Sequence, residues 1–297
     1  MTMSRLETIQ LAMKRCGLDA LLLGGEGAGQ FAAGHARIGV HNPGSPIPVT
    51  VIPSTGSPHI VTVDPDGAVG MPADHVHGMI WDPGALVGQL PDWVGPGSGP
   101  RIGVDVLSPG GRALISAALP GSTLVDATRL LAEVMLAKAP EEIEAMADLC
   151  RLATSAAEIG RQGGRPAMYR ALQGAFPIAY PLISPERVHV AVRRDGLVAE
   201  ARLGPGDRRR GERAIEALSA GTASSEVAAA LPPGVEIVGL GRSYEAPLIR
   251  HGRALPKDLE LVPGAVLAVR WDGCGVTVAL GSDGPRLLSR TPEEVAR

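Results

Sequence analysis

Lys138-Ala139-Pro140-Glu141-Glu142-Ile143-Glu144-Ala145-Met146 is where one kind of chain gives way to another. Pro140 takes a first-turn position, where its missing N–H is not needed. Glu141, Glu142 and Glu144 crowd the positive end of the helix that follows. The pattern predicts a long helix from here to about Gly160 and sets a domain boundary at its start, giving segments 1–135 and 136–297.

Upstream, Arg5–Cys16 has apolar residues at helical spacing and Gly17 as a stop signal. Strands are expected at Asp19–Leu23, Pro46–Ile52, His59–Val63, Val76–Trp81, Arg101–Val106 and Thr123–Val125, with helices at Gly110–Leu119 and Ala127–Met135. Strands alternating with helices indicate an α/β layer. Downstream, Gln162-Gly163-Gly164-Arg165-Pro166 reads as a break. Arg187–Arg194 and Leu197–Leu203 form a hairpin turning at Asp195-Gly196. Helices follow around Arg209–Ala220 and Ser224–Leu231, the second capped by Ser224 or Thr222. The last strands fall near Glu236–Gly239, Val266–Val269, Val276–Leu280 and Arg286–Leu288.

Composition narrows the function classes. The chain has 297 residues, 45% of them hydrophobic, and a formal net charge of -3, so neither nucleic acid nor an acidic membrane surface is an expected partner. Aromatics at 3% argue against base-stacking platforms. Cys16, Cys150 and Cys274 are widely spaced, which fits a reducing cytoplasm better than a disulfide framework. No apolar run approaches the ~18–20 residues that span a membrane, and no export signal is read at the N-terminus.

Four stretches together resemble the creatinase/prolidase/aminopeptidase P branch of the pita-bread metallopeptidases. They are Gly17–Leu23, Arg101–Asp105, Leu136–Met146, and the pair Leu261–Leu267 with Ser282–Leu288. The Lys-x-x-Glu-Glu-Ile linker is the most specific. The resemblance implies an N-terminal creatinase-like α/β domain, a shortened α+β pita-bread domain, and a homodimer. It also implies five metal ligands, and these can be followed one at a time. His189 and Glu200 stand where the family has two Asp, and Val238 replaces the ligand His before Gly239-Leu240-Gly241. Tyr244 replaces the catalytic His ahead of the retained Glu245 and Pro247. Arg270 takes the place of one ligand Glu, and Gly275 falls near the other, with Asp272 the closest acid. Val cannot ligate, and Arg carries a fixed positive charge. No metal and no other cofactor is expected.

Two functional readings follow. In one, the site is a metal-independent pocket for a small anionic, amino-acid-derived metabolite. His189, Glu200, Tyr244 and Glu245 act in acid–base chemistry such as C–N cleavage, and Arg270, Asp272 and Arg242 bind the substrate. In the other, the protein is an inactive binding or protein-interaction module. Arg270 and Glu200 then form an ion pair filling the vacated site, with His189 and Tyr244 as satisfied core residues. Other motifs have plainer alternatives. His75-Val76-His77 is a metal pair or a solvated strand face, Arg208-Arg209-Arg210 with Arg213 an anion grip or plain surface, and Cys274 a nucleophile or an inert thiol. Gly239-Leu240-Gly241 lacks the third glycine of a dinucleotide fingerprint.

Overall fold

The computed structural model describes residues 4–33, 50–62, 65, 71–78, 82–95, 99–105, 108–172, 174–178, 181–184 and 186–289. Parts of four expected strands, residues 46–49, 63, 79–81 and 106, lie outside them. The chain divides into two compact units, Met1–Val134 and Met135–Arg297.

The first unit runs α1 (Arg5–Cys16), β1 (Ala20–Leu23), α2 (Glu26–Ala33), β2 (Thr50–Pro53), β3 (His59–Val61), β4 (Val76–His77), α3 (Pro83–Val87), α4 (Leu90–Val94), β5 (Arg101–Val104), α5 (Pro109–Ala118), β6 (Thr123–Asp126) and most of α6 (Thr128–Leu136), whose last two residues belong to the second unit. Ser4 and Glu7 form a reciprocal capping box on α1, and Gly17 ends the helix at φ 63, a left-handed conformation that glycine adopts without strain. The strands make one mixed sheet in the order β4-β3-β2-β1-β5-β6. All four residues of β1 are buried, as expected of a central strand read as an unbroken apolar run. Leu22, Ile102, Leu90 and Ile115 lie at the centre of its core.

The second unit opens with α7 (Pro140–Ala171). It continues with β7 (Phe176–Pro177), β8 (Leu182–Ile183), β9 (Val188–Arg194), β10 (Leu197–Leu203), α8 (Arg208–Glu216), α9 (Ser224–Ala230), β11 (Val235–Leu240), β12 (Tyr244–Arg250), β13 (Arg253–Leu255), β14 (Val266–Trp271), β15 (Cys274–Gly281) and β16 (Gly284–Leu287). At the start of α7 the Glu142 carboxylate accepts the Ala139 N–H at 3.3 Å. The helix passes Gly160 and is interrupted at Gly164 (φ 71, ψ -176) ahead of Pro166, so the predicted break is a kink after which the helix resumes. Ser224 does not cap α9. Its hydroxyl donates to the Pro256 carbonyl and accepts the Leu259 N–H, both at 3.0 Å, and Ala223 holds the cap position.

A ten-stranded sheet with antiparallel pairings has the main order β13-β12-β11-β14-β15-β10-β9-β7, with β16 on β15 and β8 on β9. The β9–β10 hairpin turns at Asp195 (φ 52) and Gly196 (φ 75), the positive-φ pair that a two-residue turn requires. The alternating apolar residues of this hairpin join Met146, Cys150 and Ala153 of α7 in the core.

Candidate functional site

The register of the large sheet assembles the site. His189 lies opposite Arg202, Arg202 opposite Gly275, Gly275 opposite Arg270, Arg270 opposite Glu236, and Glu236 opposite Arg250. Directly paired residues share a face, so one row of charge crosses six strands. Glu200, two residues before Arg202, belongs to the same face. A Cβ on Gly275 would come within 3.2 Å of Arg202 Cδ, so the bare position lets the two arginines flank Glu200.

Arg270 holds Glu200 as a fork, Nε to Oε1 at 2.6 Å and Nη2 to Oε2 at 2.8 Å, and its Nη1 donates to Glu236 Oε1 at 2.8 Å. Arg202 Nε donates to Glu200 Oε1 at 3.2 Å and the Tyr244 hydroxyl to Oε2 at 2.9 Å. The Arg270 guanidinium also lies 4.8 Å from the centre of the Tyr244 ring, a cation–π contact. His189 Nε2 stands 3.5 Å from Glu200 Oε2 without making a hydrogen bond, so the Arg270 fork carries most of the hold.

Only 4% of the Glu200 side chain and 14% of the Arg270 side chain are exposed. Burial alone would push the Glu200 carboxyl up. His189, the Arg270 hydrogen bonds and the charges of Arg270 and Arg202 outweigh it and bring the group down to about 2. Tyr244 moves the other way, pushed up by burial and by the Glu200 charge, and stays a protonated donor. An ionised carboxylate whose two oxygens accept four hydrogen bonds has little capacity left for a proton or a metal.

Tyr244 and Glu245 are neighbours on β12 and project from opposite faces. Glu245 therefore leaves the cluster. Its Oε2 pairs with Lys138 Nζ at 2.8 Å, both side chains 5% exposed, and its Oε1 accepts the Arg242 N–H at 2.8 Å. Lys138 also donates to the carbonyls of Met135 and Leu136 at the end of α6. The Arg242 side chain reaches Glu142, with Nη2 3.5 Å from Oε1. Asp272, in a turn at φ 44, accepts two bonds from Arg210 at 3.1 Å. The structure thus gathers His189, Glu200, Tyr244 and Arg270, and places Glu245, Arg242 and Asp272 elsewhere. Arg202 and Glu236 were missed. Arg202 was within reach, because the predicted hairpin already puts it opposite His189.

The remaining motifs have ordinary partners. Arg208 pairs with Glu212 at 2.5 Å. Cys274 Sγ donates to the Gly204 carbonyl at 2.7 Å and accepts the Gly206 N–H at 3.1 Å. Gly239 is there for clearance, since a Cβ would meet the Ala246 carbonyl oxygen at 2.3 Å.

Similar architecture is found in solved structures. A Xaa-Pro dipeptidase from Bacillus anthracis superposes with a TM-score of 0.67 at 16% identity, covering 97% of each chain. A prolidase from Thermococcus sibiricus gives 0.72 at 13% identity, covering 97% of this chain and 96% of its own. A histidine-to-alanine variant of Escherichia coli aminopeptidase P gives 0.60 at 12% identity, covering 98% and 96%. The chain has the pita-bread fold. No family model and no curated protein matches the sequence. A metal pair of the kind the resemblance implies does not fit this pita-bread chain. Among the described residues no group of three or more His, Cys, Asp or Glu could hold a metal ion, and the Arg270 fork takes the Glu200 oxygens a cation would need. Among the described residues no helix is long and apolar enough to cross a membrane.

Proposed function

We propose that this protein is a metal-independent, non-peptidase pita-bread protein that binds a small anionic, amino-acid-derived metabolite at Arg202 and His189. The metal-independent part of the reading rests on the capture of Glu200 by Arg270, the ion pair that the inactive-module alternative also expects, and the binding part rests on the Arg202 end of the charged row. Along the row, Arg202, Arg270 and Arg250 face Glu200 and Glu236, three guanidiniums against two carboxylates. Among the described residues Arg202 makes one hydrogen bond, through Nε, and its two Nη groups face an incoming carboxylate. Its side chain is 25% exposed and so reachable, while that of His189 is 28% exposed with Nε2 itself buried. The clamp thus moves from Arg270, the residue expected from sequence, to Arg202. Any proton transfer on the bound acid, as in a creatinase-like hydrolase or lyase, falls to His189. The protein is read as a cytoplasmic homodimer.

A second reading, an inactive interaction module, draws on apolar exposure beside the same face. Phe176 on β7 and Leu182 on β8 are 67% and 55% exposed, and they pair with Arg193 and His189 of β9.

The test is a thermal-shift and calorimetric screen of small carboxylates on wild type and Arg202→Ala, with dipeptide hydrolysis assayed with and without divalent cations. The reading expects no hydrolysis under either condition, and an acid that binds wild type and is lost in the variant. Cation-dependent cleavage of dipeptides would overturn it. Failure of every acid to bind would leave the interaction module as the reading.

A further inference from the structure

The first unit carries a second cluster that the proposed function does not use. β3 and β4 pair in parallel, Val61 opposite His77, so His59 and His77 lie on one face of the sheet. His75, in the turn just before β4, stacks on His59 with ring centres 3.9 Å apart and planes at 10°. Trp93 of α4 adds an indole, 5.3 Å from His59 and 4.4 Å from His77. His59 Nδ1 and His77 Nε2 are 3.3 Å apart and share a hydrogen bond. The expected His75–His77 pair therefore becomes four stacked rings, with the missing third imidazole supplied by His59.

His59, His75 and Trp93 form part of the wall of a cleft of about 470 Å³. Asp19 and Asp92 line the same cleft, and no Lys or Arg is among its described lining residues. One Asp19 oxygen accepts the Arg101 N–H at 2.7 Å, and among the described residues nothing bonds the other. Asp92 is exposed on α4. His59 adds no compensating charge near neutral pH. Burial, with the neighbouring His75 and His77, holds His59 down to about 4 against the opposing pull of Asp74, and burial with His75 lowers His77. A metal is disfavoured because no group of three ligating side chains forms here among the described residues. An anion would meet two carboxylates.

We propose that this cleft binds a planar organic cation of the amidinium or guanidinium class, its flat face laid on the His75–His59 stack and its charge held by Asp19 and Asp92. Two features must coincide for such a ligand, a ring surface for the flat face and carboxylates for the N–H fork. Both line one cavity whose volume suits a small aromatic molecule. This site lies wholly within the first unit and stands or falls separately from Arg202 and His189.

The experiment is isothermal titration of the full chain with benzamidinium, using benzoate as an anion of the same shape. Wild type is expected to bind benzamidinium and not benzoate. Asp92→Asn, at an exposed position that does not endanger folding, should weaken benzamidinium on the order of tenfold, and His75→Ala should weaken it similarly while circular dichroism stays unchanged. Equal binding of benzoate, no saturation of wild type by about 10 mM benzamidinium, or an unchanged affinity in Asp92→Asn would each overturn the proposal. Arg202→Ala should leave this binding intact, whereas a loss there would place the cation in the other unit and refute the assignment.

Discussion

Arg270→Ala should destabilise the second unit by about 3–5 kcal/mol, the usual loss when one member of a buried ion pair is removed. Three charge-assisted hydrogen bonds disappear, and Glu200 keeps only Arg202 and Tyr244 while its side chain stays 4% exposed. Proton linkage gives a second route to the magnitude. His189, Arg270 and Arg202 together hold the carboxyl at about 2 against an ordinary 4.5, ~3 kcal/mol of preference for the ionised form, of which Arg270 supplies a part. Because the folded value is depressed, this contribution is present above pH 4.5 and is lost as pH falls through about 2. Urea unfolding followed by circular dichroism and by Trp271, the tryptophan of this unit, reads the loss directly. In the variant the acid-induced fall should begin at higher pH. Glu200→Gln combined with Arg270→Met should recover to within about 1 kcal/mol of wild type, since neither charge is then stranded. A loss below about 1 kcal/mol in Arg270→Ala, with the acid limb unmoved, would show that the fork does not hold Glu200 and would refute the filled-site argument.

His59 makes the first unit sensitive to mild acid. Its folded value of about 4 lies below 6.5, so the contribution is complete above pH 6.5 and drains away as pH falls toward 4. After allowance for solvent screening the loss is on the order of 1 kcal/mol, and His59→Gln should flatten that limb in a melting series. Lys138→Met should cost about 3 kcal/mol in urea by stranding the Glu245 carboxylate, and Lys138→Met with Glu245→Gln should recover most of it. Gly239→Ala forces a Cβ to within 2.3 Å of a backbone carbonyl oxygen, so soluble yield should collapse or the urea midpoint should drop by at least about 3 kcal/mol equivalent.

What could be read from sequence follows from which contacts are local. Asp195-Gly196 fixes the hairpin turn, and the turn fixes that Arg202 faces His189 and that Glu200 shares their side of the sheet. The β11–β14 pairing, which sets Glu236 against Arg270, joins segments about thirty residues apart, and no turn residue specifies its register. Tyr244 and Glu245 adjoin in the motif, and sequence alone groups them. Strand alternation separates them, and a bulge between Val238 and Gly239 obscures the alternation in sequence. Ser224 reads as a cap, yet its hydroxyl engages groups more than thirty residues away. The break at Gly164 was legible. The resumption of the helix behind Pro166 depends on Met168, buried with Gly160 in the core, where a Cβ on Gly160 would meet the Met168 Cβ at 3.0 Å.

Clustered carboxylates are tolerable in a dinuclear site because the metal ions offset their charge. Without the ions the same cluster repels itself. Arg270 solves this within the sheet, since its fixed charge lies between Glu200 on one side and Glu236 on the other, and its planar fork matches a carboxylate. Extending the row outward gives Arg202 beyond Glu200 and Arg250 beyond Glu236, an alternation of sign with a cation at each end. The interior and the ends of such a chain differ in how easily a ligand enters. An anion approaching Arg270 must displace two short bonds from a buried carboxylate and leave that charge unpaired. An anion approaching Arg202 meets a guanidinium that, among the described residues, makes one bond of 3.2 Å through Nε. Under the proposed function a small acid therefore enters at the Arg202 end of the row and not at Arg270.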